Sequence, residues 1–560
     1  MKFDFNKIFL EKWKPYLWII LIILCLYAQT IFFDYVYLDD NNLIMERDQF
    51  LSDWSSVGQS FKEDAFNSHQ ETAFYYRPLL TTSFIIDAHL GGTSSLTTFH
   101  ITDIILHIIT TILLLILLKQ LKITGKKSFL LTILFSLHPI HLQAVAFIPG
   151  RNDPLLTIFI LAAFIFFIKF IGSEKYRFLI LSLLAYTASL FTKETAIMFP
   201  LIAIIYLITN NYKIFKIKNL IYIVSTIPIT LIWLDIRSKI LNSSIIEDWE
   251  KIISSVLKSS SSIISYLGKI TFPINLSPLP IKDDLPLIYG IIALFVFGFI
   301  CYFSLKNNFS KTILGISWFL LFLFPALIQY STPFPSFSEH RVYLPLIGLI
   351  IILGSFKWST QNHKLKKIMP TVLSVGTIIV LGLFLTKTIT HARVYEDKIS
   401  FWTSAVKYSP NSAFNHNNLG AMYYIDGNYA QAKEQWLIAK KLNPNEPLVS
   451  NNLGLIYDLE GEYNKAYNEY LKELQINPNY ANAHYNLSLL LLKTGYPDKA
   501  AEGWQKTIEL NPDYFSAYNN LSAYYLEQGD LNQAKYYINT LIERGGVPIT
   551  GLLEKINEKN

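Results

Sequence analysis

The stretch NSAFNHNNLGAMYYIDGNYAQAKEQWLIAKKLNP (411–444) is followed directly by NEPLVSNNLGLIYDLEGEYNKAYNEYLKELQINP (445–478), and the two align without a gap. The same phase continues through 479–512 and 513–546. Leu419, Leu453, Leu487 and Leu521 share one column, Gly427, Gly461, Gly495 and Gly529 a second, and Ala432, Ala466, Ala500 and Ala534 a third. Pro444, Pro478 and Pro512 close three of the units. A Gly between two helical runs supplies the turn. A Pro at the end stops the second helix, because it has no N–H and clashes with the preceding turn. Each unit therefore reads as helix, Gly turn, helix, Pro stop.

A helix pair repeating at this period is the signature of the tetratricopeptide repeat (TPR). The phase also runs backwards: Trp402, Ala405 and Pro410 stand where Trp436, Ala439 and Pro444 stand in the first unit. A half-repeat at 396–410 thus leads into the array, and the whole TPR region is set at 390–560. Stacked units share a core and offer a concave face to protein partners. Asn418, Asn452, Asn486 and Asn520 repeat in phase as well, one residue before the core Leu. A primary amide both donates and accepts, so it can bond a peptide backbone of any sequence. The arrangement resembles the asparagine ladder of the TPR region of O-GlcNAc transferase, which implies acceptor-peptide binding at these four residues. The plainer alternative is that Asn is simply common at this repeat position.

Upstream of the array the composition changes. The chain has 560 residues, 51% of them apolar and 16% charged. A soluble chain of this length would hold about three or four domains. Instead, Ile/Leu/Phe-rich runs recur from Tyr16 to Leu385, each about as long as a bilayer-crossing helix. Spans are expected near 16–33, 100–118, 128–148, 155–171, 178–191, 195–209, 219–236, 287–305, 312–330, 342–356 and 368–389. The first run follows a basic start (Lys2, Lys7, Lys12, Lys14), is longer than a signal-peptide core and shows no small-residue cleavage site, so it reads as a retained span. Cys25 and Cys301, both in apolar runs, exclude a disulfide framework or a cysteine zinc site. The expected fold is all-α: a polytopic membrane domain of about eleven spans over 1–389, then an α-solenoid of TPR units.

Alternate loops are basic: the N-terminus, Lys119/Lys122/Lys126/Lys127, Lys175/Arg177, Lys213/Lys216/Lys218, Lys306/Lys311 and Lys357/Lys364/Lys366/Lys367. The positive-inside rule puts them in the cytoplasm and the remaining loops, with the array, outside. Residues 237–286 resist this scheme. They carry six Lys/Arg and the half-apolar segment Ile252 to Phe272, which reads as a re-entrant or interfacial helix. One extra crossing there would invert the array.

Ionisable groups gather at the outer span ends, where they are costly and usually functional. Tyr37-Leu38-Asp39-Asp40-Asn41 follows the first span, and Tyr76-Arg77-Pro78-Leu79 lies in the same loop. His100, Asp103 and His107 share one helical face. Leu137-His138-Pro139-Ile140-His141 is followed by Gly150-Arg151-Asn152-Asp153. Lys193-Glu194 ends the fifth span, and Glu339-His340-Arg341-Val342-Tyr343 starts the tenth. A carboxylate at 39 or 40 can take a proton from a hydroxyl, or it is a solvated pair or a helix cap. The histidines could hold a metal with carboxylates, but a Pro between His138 and His141 favours a hydrogen-bonding or structural role. Arg341 could bind phosphate or snorkel as an interfacial anchor, and Lys193-Glu194 could be a local ion pair.

The combination resembles the transmembrane-and-TPR O-mannosyltransferase family, within the GT-C class of membrane glycosyltransferases. It rests on Asp39-Asp40, YRPLLTTSF (76–84), FHITDIILH (99–107), LFSLHPIHLQAVAFIPGRND (134–153), Thr192-Lys193-Glu194-Thr195, HRVYLP (340–345) and the TPR tail. One departure is Gln143, where the family often has Glu; a second acid would then fall to Asp153 or be dispensable. The resemblance implies a GT-C-like fold and transfer of a sugar, mannose by association, from a polyprenyl-phosphate donor to Ser or Thr hydroxyls of proteins. It implies Asp39 as base with Asp40 supporting it. The lipid phosphate would be bound by Arg341 first, then Arg77, Arg151 and Lys193. His100, Asp103, His107, His138, His141, Asp153, Glu194, Glu339 and Tyr343 are further site candidates. Transfer would invert the anomeric centre with no cofactor and no required metal. The partners are then the lipid-linked donor, acceptor proteins held by the array, and membrane lipid, with no nucleic acid. The expected location is a bacterial inner membrane with site and array on the extracytoplasmic side, or the endoplasmic reticulum membrane in a eukaryote. Two other functions compete: a non-catalytic membrane-anchored TPR scaffold for envelope assembly, and a lipid- or glycan-modifying GT-C transferase.

Overall fold

A computed structural model describes residues 4–66, 75–241, 249–281, 286–328, 338–357 and 363–558. Every regular element among them is helical. The chain divides into two compact units, Met1–Ser409 and Pro410–Asn560.

In the first unit seven helical stretches among the described residues are long and apolar enough to cross a bilayer: Lys14–Phe32, Thr97–Gln120, Ile148–Ser173, Ile217–Leu241, Leu287–Asn307, Phe309–Leu327 and Thr371–Tyr395. At 1.5 Å per residue, a helix of about 20 residues covers the ~30 Å hydrocarbon core. The expected span at 128–148 is broken. Gly125–Ser136 and Pro139–Val145 meet at a 50° bend, because Pro139 cannot continue the helix and His138 is extended ahead of it (φ −69°, ψ 120°). The expected spans at 178–191, 195–209 and 342–356 are shorter helices, Tyr176–Leu190, Phe199–Thr209 and Tyr343–Ser355. The span expected at 312–330 ends outside the described residues. Large apolar side chains such as Leu184, Ile232, Phe295 and Ile378 face outward, as lipid-facing surfaces require.

Small residues set a close helix contact. A Cβ on Gly315 would come 2.5 Å from the Gly348 carbonyl, and one on Gly348 2.4 Å from the Gly315 carbonyl. That contact, as in other membrane bundles, presses Phe309–Leu323 onto Tyr343–Ser355. The Trp318 indole then donates to the Leu344 carbonyl at 3.0 Å. It fixes the helix whose first turn follows Glu339, His340 and Arg341.

The segment that resisted the charge scheme forms two helices, Trp249–Ser259 and Ser262–Thr271. At 11 and 10 residues, neither covers the hydrocarbon core. Residues 242–248 and 282–285 of that segment lie outside the described residues.

The second unit consists of helix pairs at the expected phase: Ala413–Ile425 with Tyr429–Leu442, Val449–Leu459 with Tyr463–Ile476, Ala481–Lys493 with Pro497–Leu510, and Phe515–Glu527 with Leu531–Glu543. The turn glycines all have positive φ, between 76° and 89°. The four column alanines are fully buried. One helix lies beyond the expected repeats: Leu552–Glu558 lays Leu552 and Ile556 into the core of the last repeat and closes its open end.

The half-repeat differs from its expected placement in the array. Its helix, Lys398–Tyr408, starts at an Asp397 cap that accepts from the Ser400 amide at 2.8 Å, and it belongs to the first unit. The physical reason is its side chains. Phe401 and Trp402 are fully buried, and Trp402 bonds to the loop after the first span.

Candidate active site

Five chain segments meet at one end of the helical bundle. The 34–41 loop leaves Lys14–Phe32. The Arg77 segment is pinned by its neighbour: the Leu79 amide donates to the Phe191 carbonyl at 3.2 Å, at the end of Tyr176–Leu190. His141–Asp153 leads into Ile148–Ser173, Lys193-Glu194 follows Tyr176–Leu190, and Glu339–Val342 leads into Tyr343–Ser355. The antiparallel order of the helices puts the basic loops at the opposite end. There Lys127 donates to the Phe356 carbonyl at 2.5 Å and Lys218 to the Ile171 carbonyl at 2.7 Å. Lys216 and Lys218 both pair with Glu174.

Asp39 and Asp40 have different jobs. Asp40 is buried, and its two oxygens accept from the Val36 amide at 2.6 Å and the Leu38 amide at 2.8 Å. It closes a tight turn in which Tyr37 adopts φ +58°. Asp39 precedes the short helix Asp40–Leu43 without capping it by its side chain and stays half-buried. Burial, with the adjacent Asp40 charge, lifts the Asp39 carboxyl to about 6 against the pull of Arg77. Burial also raises Asp40, opposed by the amides it accepts.

Arg77, the cation that acts on Asp39, belongs to an interlocked cluster. Arg77 forks onto Glu194, Nη2 to Oε1 at 2.8 Å and Nε to Oε2 at 3.3 Å, and lies over the Tyr75 ring at 4.2 Å. Lys193 Nζ is buried, 2.7 Å from Asp153 Oδ1 and 2.9 Å from Asn152 Oδ1. Lys193 and Glu194 are therefore no local pair; neighbours in sequence, they reach different partners. Asp153 Oδ2 and His340 Nδ1 are buried without a hydrogen-bond partner among the described residues. Burial and the charges of Lys193, Arg341 and Arg77 hold the His340 imidazole well below its usual range, so it is neutral. Arg341 is half-buried and donates to the Ala326 carbonyl at 3.2 Å.

Arg151 departs from its expected role. It is fully buried. Its Nε meets Asp103 at 2.5 Å, Nη1 meets Asp87 at 2.6 Å, and Nη2 donates to the Phe99 carbonyl at 2.7 Å. All three nitrogens are engaged inside the protein, so Arg151 and Asp103 form an interior lock and offer nothing to a lipid phosphate. Asp87 is the partner that sequence reasoning missed; an acid inside the apolar run 78–91 was the available signal.

Two of the four histidines are held by protein partners on both ring nitrogens. His107 Nε2 donates to the Ser136 carbonyl at 3.4 Å, and its Nδ1 accepts from the Tyr343 hydroxyl at 2.6 Å. His138 Nδ1 accepts from the Ile140 amide at 3.2 Å, and its Nε2 donates to the Ile270 carbonyl at 2.9 Å. Both rings thus use both nitrogens on the protein. His141 packs between Phe135 and Tyr343, with ring centres 4.3 and 4.5 Å away, and His100 lies edge-on to Phe33.

Two contacts tie Glu339–Val342 to the short helix Ser262–Thr271 and the loop after it. Glu339 is buried against Lys269 at 2.9 Å and accepts from the Ser277 amide at 3.0 Å. Gln143 donates to the Pro278 carbonyl at 3.1 Å and accepts from the His340 amide at 3.3 Å. That bridge needs a donor and an acceptor on one side chain, which Gln supplies and an ionised Glu does not. It is a physical reason for Gln143 in this chain.

In the second unit, the ladder amides donate across repeat boundaries. Asn452 reaches Asn417 Oδ1 at 3.2 Å, Asn486 reaches Asn451 Oδ1 at 2.9 Å, and Asn520 reaches the Tyr485 hydroxyl at 3.2 Å. Asn418 donates to the Phe414 carbonyl of its own helix. All four remain half-exposed.

Apolar helices of bilayer length, an ionisable cluster where they end and a C-terminal repeat array define a polytopic membrane protein with TPR repeats. Family profiles described as tetratricopeptide repeat match residues 449–480 and 504–536. Protein O-mannosyl-transferase F38B6.6 of Caenorhabditis elegans is 34% identical over 148 residues, 26% of this chain and 21% of that protein. Protein O-mannosyl-transferase TMTC2 of Homo sapiens is 30% identical over 155 residues, 27% of this chain and 18% of that one. Protein O-mannosyl-transferase TMTC3 of Mus musculus is 22% identical over 466 residues, 74% of this chain and 49% of that one. The chain is thus a homologue of proteins named protein O-mannosyl-transferase, and it spans about a fifth of the first two and about half of the third. Among solved structures, a crystal structure of MamA is 26% identical, with 26% of this chain and 86% of that one covered at a TM-score of 0.25.

Proposed function

We propose that this protein transfers mannose from a polyprenyl-phosphate carrier to hydroxyl groups of acceptor proteins. The observation that carries this reading is the half-buried Asp39, with its raised pKa, set against Arg77 in a cluster with Lys193, His340 and Arg341. The homologues' names supply the sugar and the protein acceptor.

In the proposed reaction the acceptor hydroxyl oxygen attacks the anomeric carbon. The bond from that carbon to the phosphate oxygen breaks, and the electron pair leaves with the lipid phosphate. The hydroxyl proton passes to the Asp39 carboxylate. A single displacement inverts the anomeric centre. Arg341, Arg77 and Lys193 receive the phosphate and stabilise the charge that develops on it. Asp40 shapes the turn and takes no proton in this scheme. The base and the cations lie near the ends of span-length helices, which suits a lipid-borne donor.

The site and the array are assigned to the extracytoplasmic face. The convergence of basic loops at the opposite end supports this orientation, as do two helices at 249–271 too short to add a crossing. The array holds acceptor protein and raises its local concentration.

The test is Asp39→Asn in the full chain. Transfer of mannose should fall by about 10²–10⁴, the usual contribution of a general base, with the amount of folded protein in the membrane unchanged. Transfer at the wild-type rate would remove Asp39 from the mechanism.

A further inference from the structure

The helix Lys398–Tyr408 is in register with the second helix of each repeat, and its Trp402 corresponds to Trp436. In the first full unit, the Trp436 indole N–H donates to the backbone carbonyl of Asn417, on that unit's first helix, at 2.9 Å. Trp402 is preceded instead by the long helix His363–Ala392. Its indole N–H donates at the same 2.9 Å to the carbonyl of Val36, more than 360 residues away in sequence.

Val36 is the residue whose amide donates to Asp40. Two further contacts hold the same loop. The Asp34 amide donates to the Glu396 carbonyl at 2.9 Å, and Lys398 Nζ lies 5.6 Å from the centre of the Tyr37 ring. Tyr37 itself sits at φ +58°, a conformation uncommon for a non-glycine residue. Surrounding contacts must hold it there, and those from residues 396–402 are among them. Trp402 is fully buried.

We infer that the half-repeat has taken the 34–40 loop in place of its missing first helix, and that Trp402 is a positioning residue for Asp39. It acts through the Val36 carbonyl and the turn that Asp40 closes. The helix that leads into the array is thereby part of the transfer site, which deepens the reading of Asp39 as the base and rests on it.

The full chain in membranes, given a polyprenyl-phosphate [3H]mannose donor and a Thr-rich acceptor peptide, tests this. Trp402→Phe keeps an aromatic ring and removes the N–H. It should lower kcat roughly tenfold to a hundredfold, as displaced catalytic groups do, with the donor KM unchanged. It should also move the acidic limb of the pH–rate profile downward, because a loosened turn admits water to Asp39. Trp436→Phe removes the matching bond in the array and should leave that limb in place. A Trp402→Phe enzyme with wild-type kcat and acidic limb would overturn the inference, as would an equal shift in Trp436→Phe. Should the Phe variant not accumulate, benzothienylalanine at 402 keeps the bicyclic shape without the N–H and is read by the same criteria. Asp39→Asn reports on the base separately: if it is inactive while Trp402→Phe behaves as wild type, the inference falls alone.

Discussion

Arg151 and Arg77 stand at the same end of the same bundle, and each meets carboxylates. Arg151 is sealed: Asp87 and Asp103 flank it, a carbonyl takes its remaining nitrogen, and it has no solvent exposure. Arg77 is half-buried, forks onto one carboxylate and projects its charge toward Asp39 and Asp153. The difference separates a group that holds the fold from a group that can meet a substrate. Local sequence does not separate them, since each is one basic residue beside a Pro or Gly near a span end. Burial and partner count do.

The largest expected effect lies in the closed cluster. Arg151→Ala leaves Asp87 and Asp103 buried without their cation. Breaking a buried pair costs about 3–5 kcal/mol, so this variant should fail to accumulate in membranes, as measured by fluorescence-detected size exclusion. Normal accumulation would break the distinction drawn between the two arginines. Gln143→Glu comes next. It turns a donor toward the Pro278 carbonyl into an acceptor, for a cost of about 1–3 kcal/mol, read as a lowered Tm in a thermal-shift series. An unchanged Tm would mean that the bridge between His340 and Pro278 carries no stability. The smallest stability effect belongs to the open cluster. Arg77→Ala should cost about 1 kcal/mol or less, since partly exposed pairs contribute little, yet it should alter chemistry. Arg77 pulls the Asp39 pKa down. Its removal should move the acidic limb of the pH–rate profile to higher pH, opposite to the shift expected for Trp402→Phe.

The two units also differ in how far the sequence alone could be read. In the array, each column of Leu, Gly, Ala and Pro maps onto one structural job, because every repeat contacts only its neighbours. The helix pairs and the positive-φ glycines follow directly. In the membrane unit, hydropathy marks each apolar run but not its geometry. The break at Pro139 was signalled by the proline itself, whereas the early ends of Tyr176–Leu190 and Tyr343–Ser355 were not; the second is almost wholly buried in protein, which allows an apolar helix to stop early. The motif residues were visible as ionisable groups at span ends. Their division into lock and site was not, because it depends on pairs far apart in sequence: Asp87 with Arg151, Arg77 with Glu194, Lys193 with Asp153. Trp402 reads in the sequence only as a repeat residue, and its contact with Val36 follows from the fold.

In the proposed mechanism Asp39 is a base whose burial lifts its pKa to about 6. A base must be ionised to accept a proton, so activity is present above that pKa and lost as pH falls through it. The direct measurement is the pH–rate profile of mannose transfer by wild type and Asp39→Asn, assayed side by side in membranes. The expected result is a wild-type acidic limb near pH 6 that is absent from the uniformly low profile of the Asp39→Asn variant. A wild-type rate that holds to pH 4, or an Asp39→Asn enzyme that keeps both the rate and the limb, would contradict it.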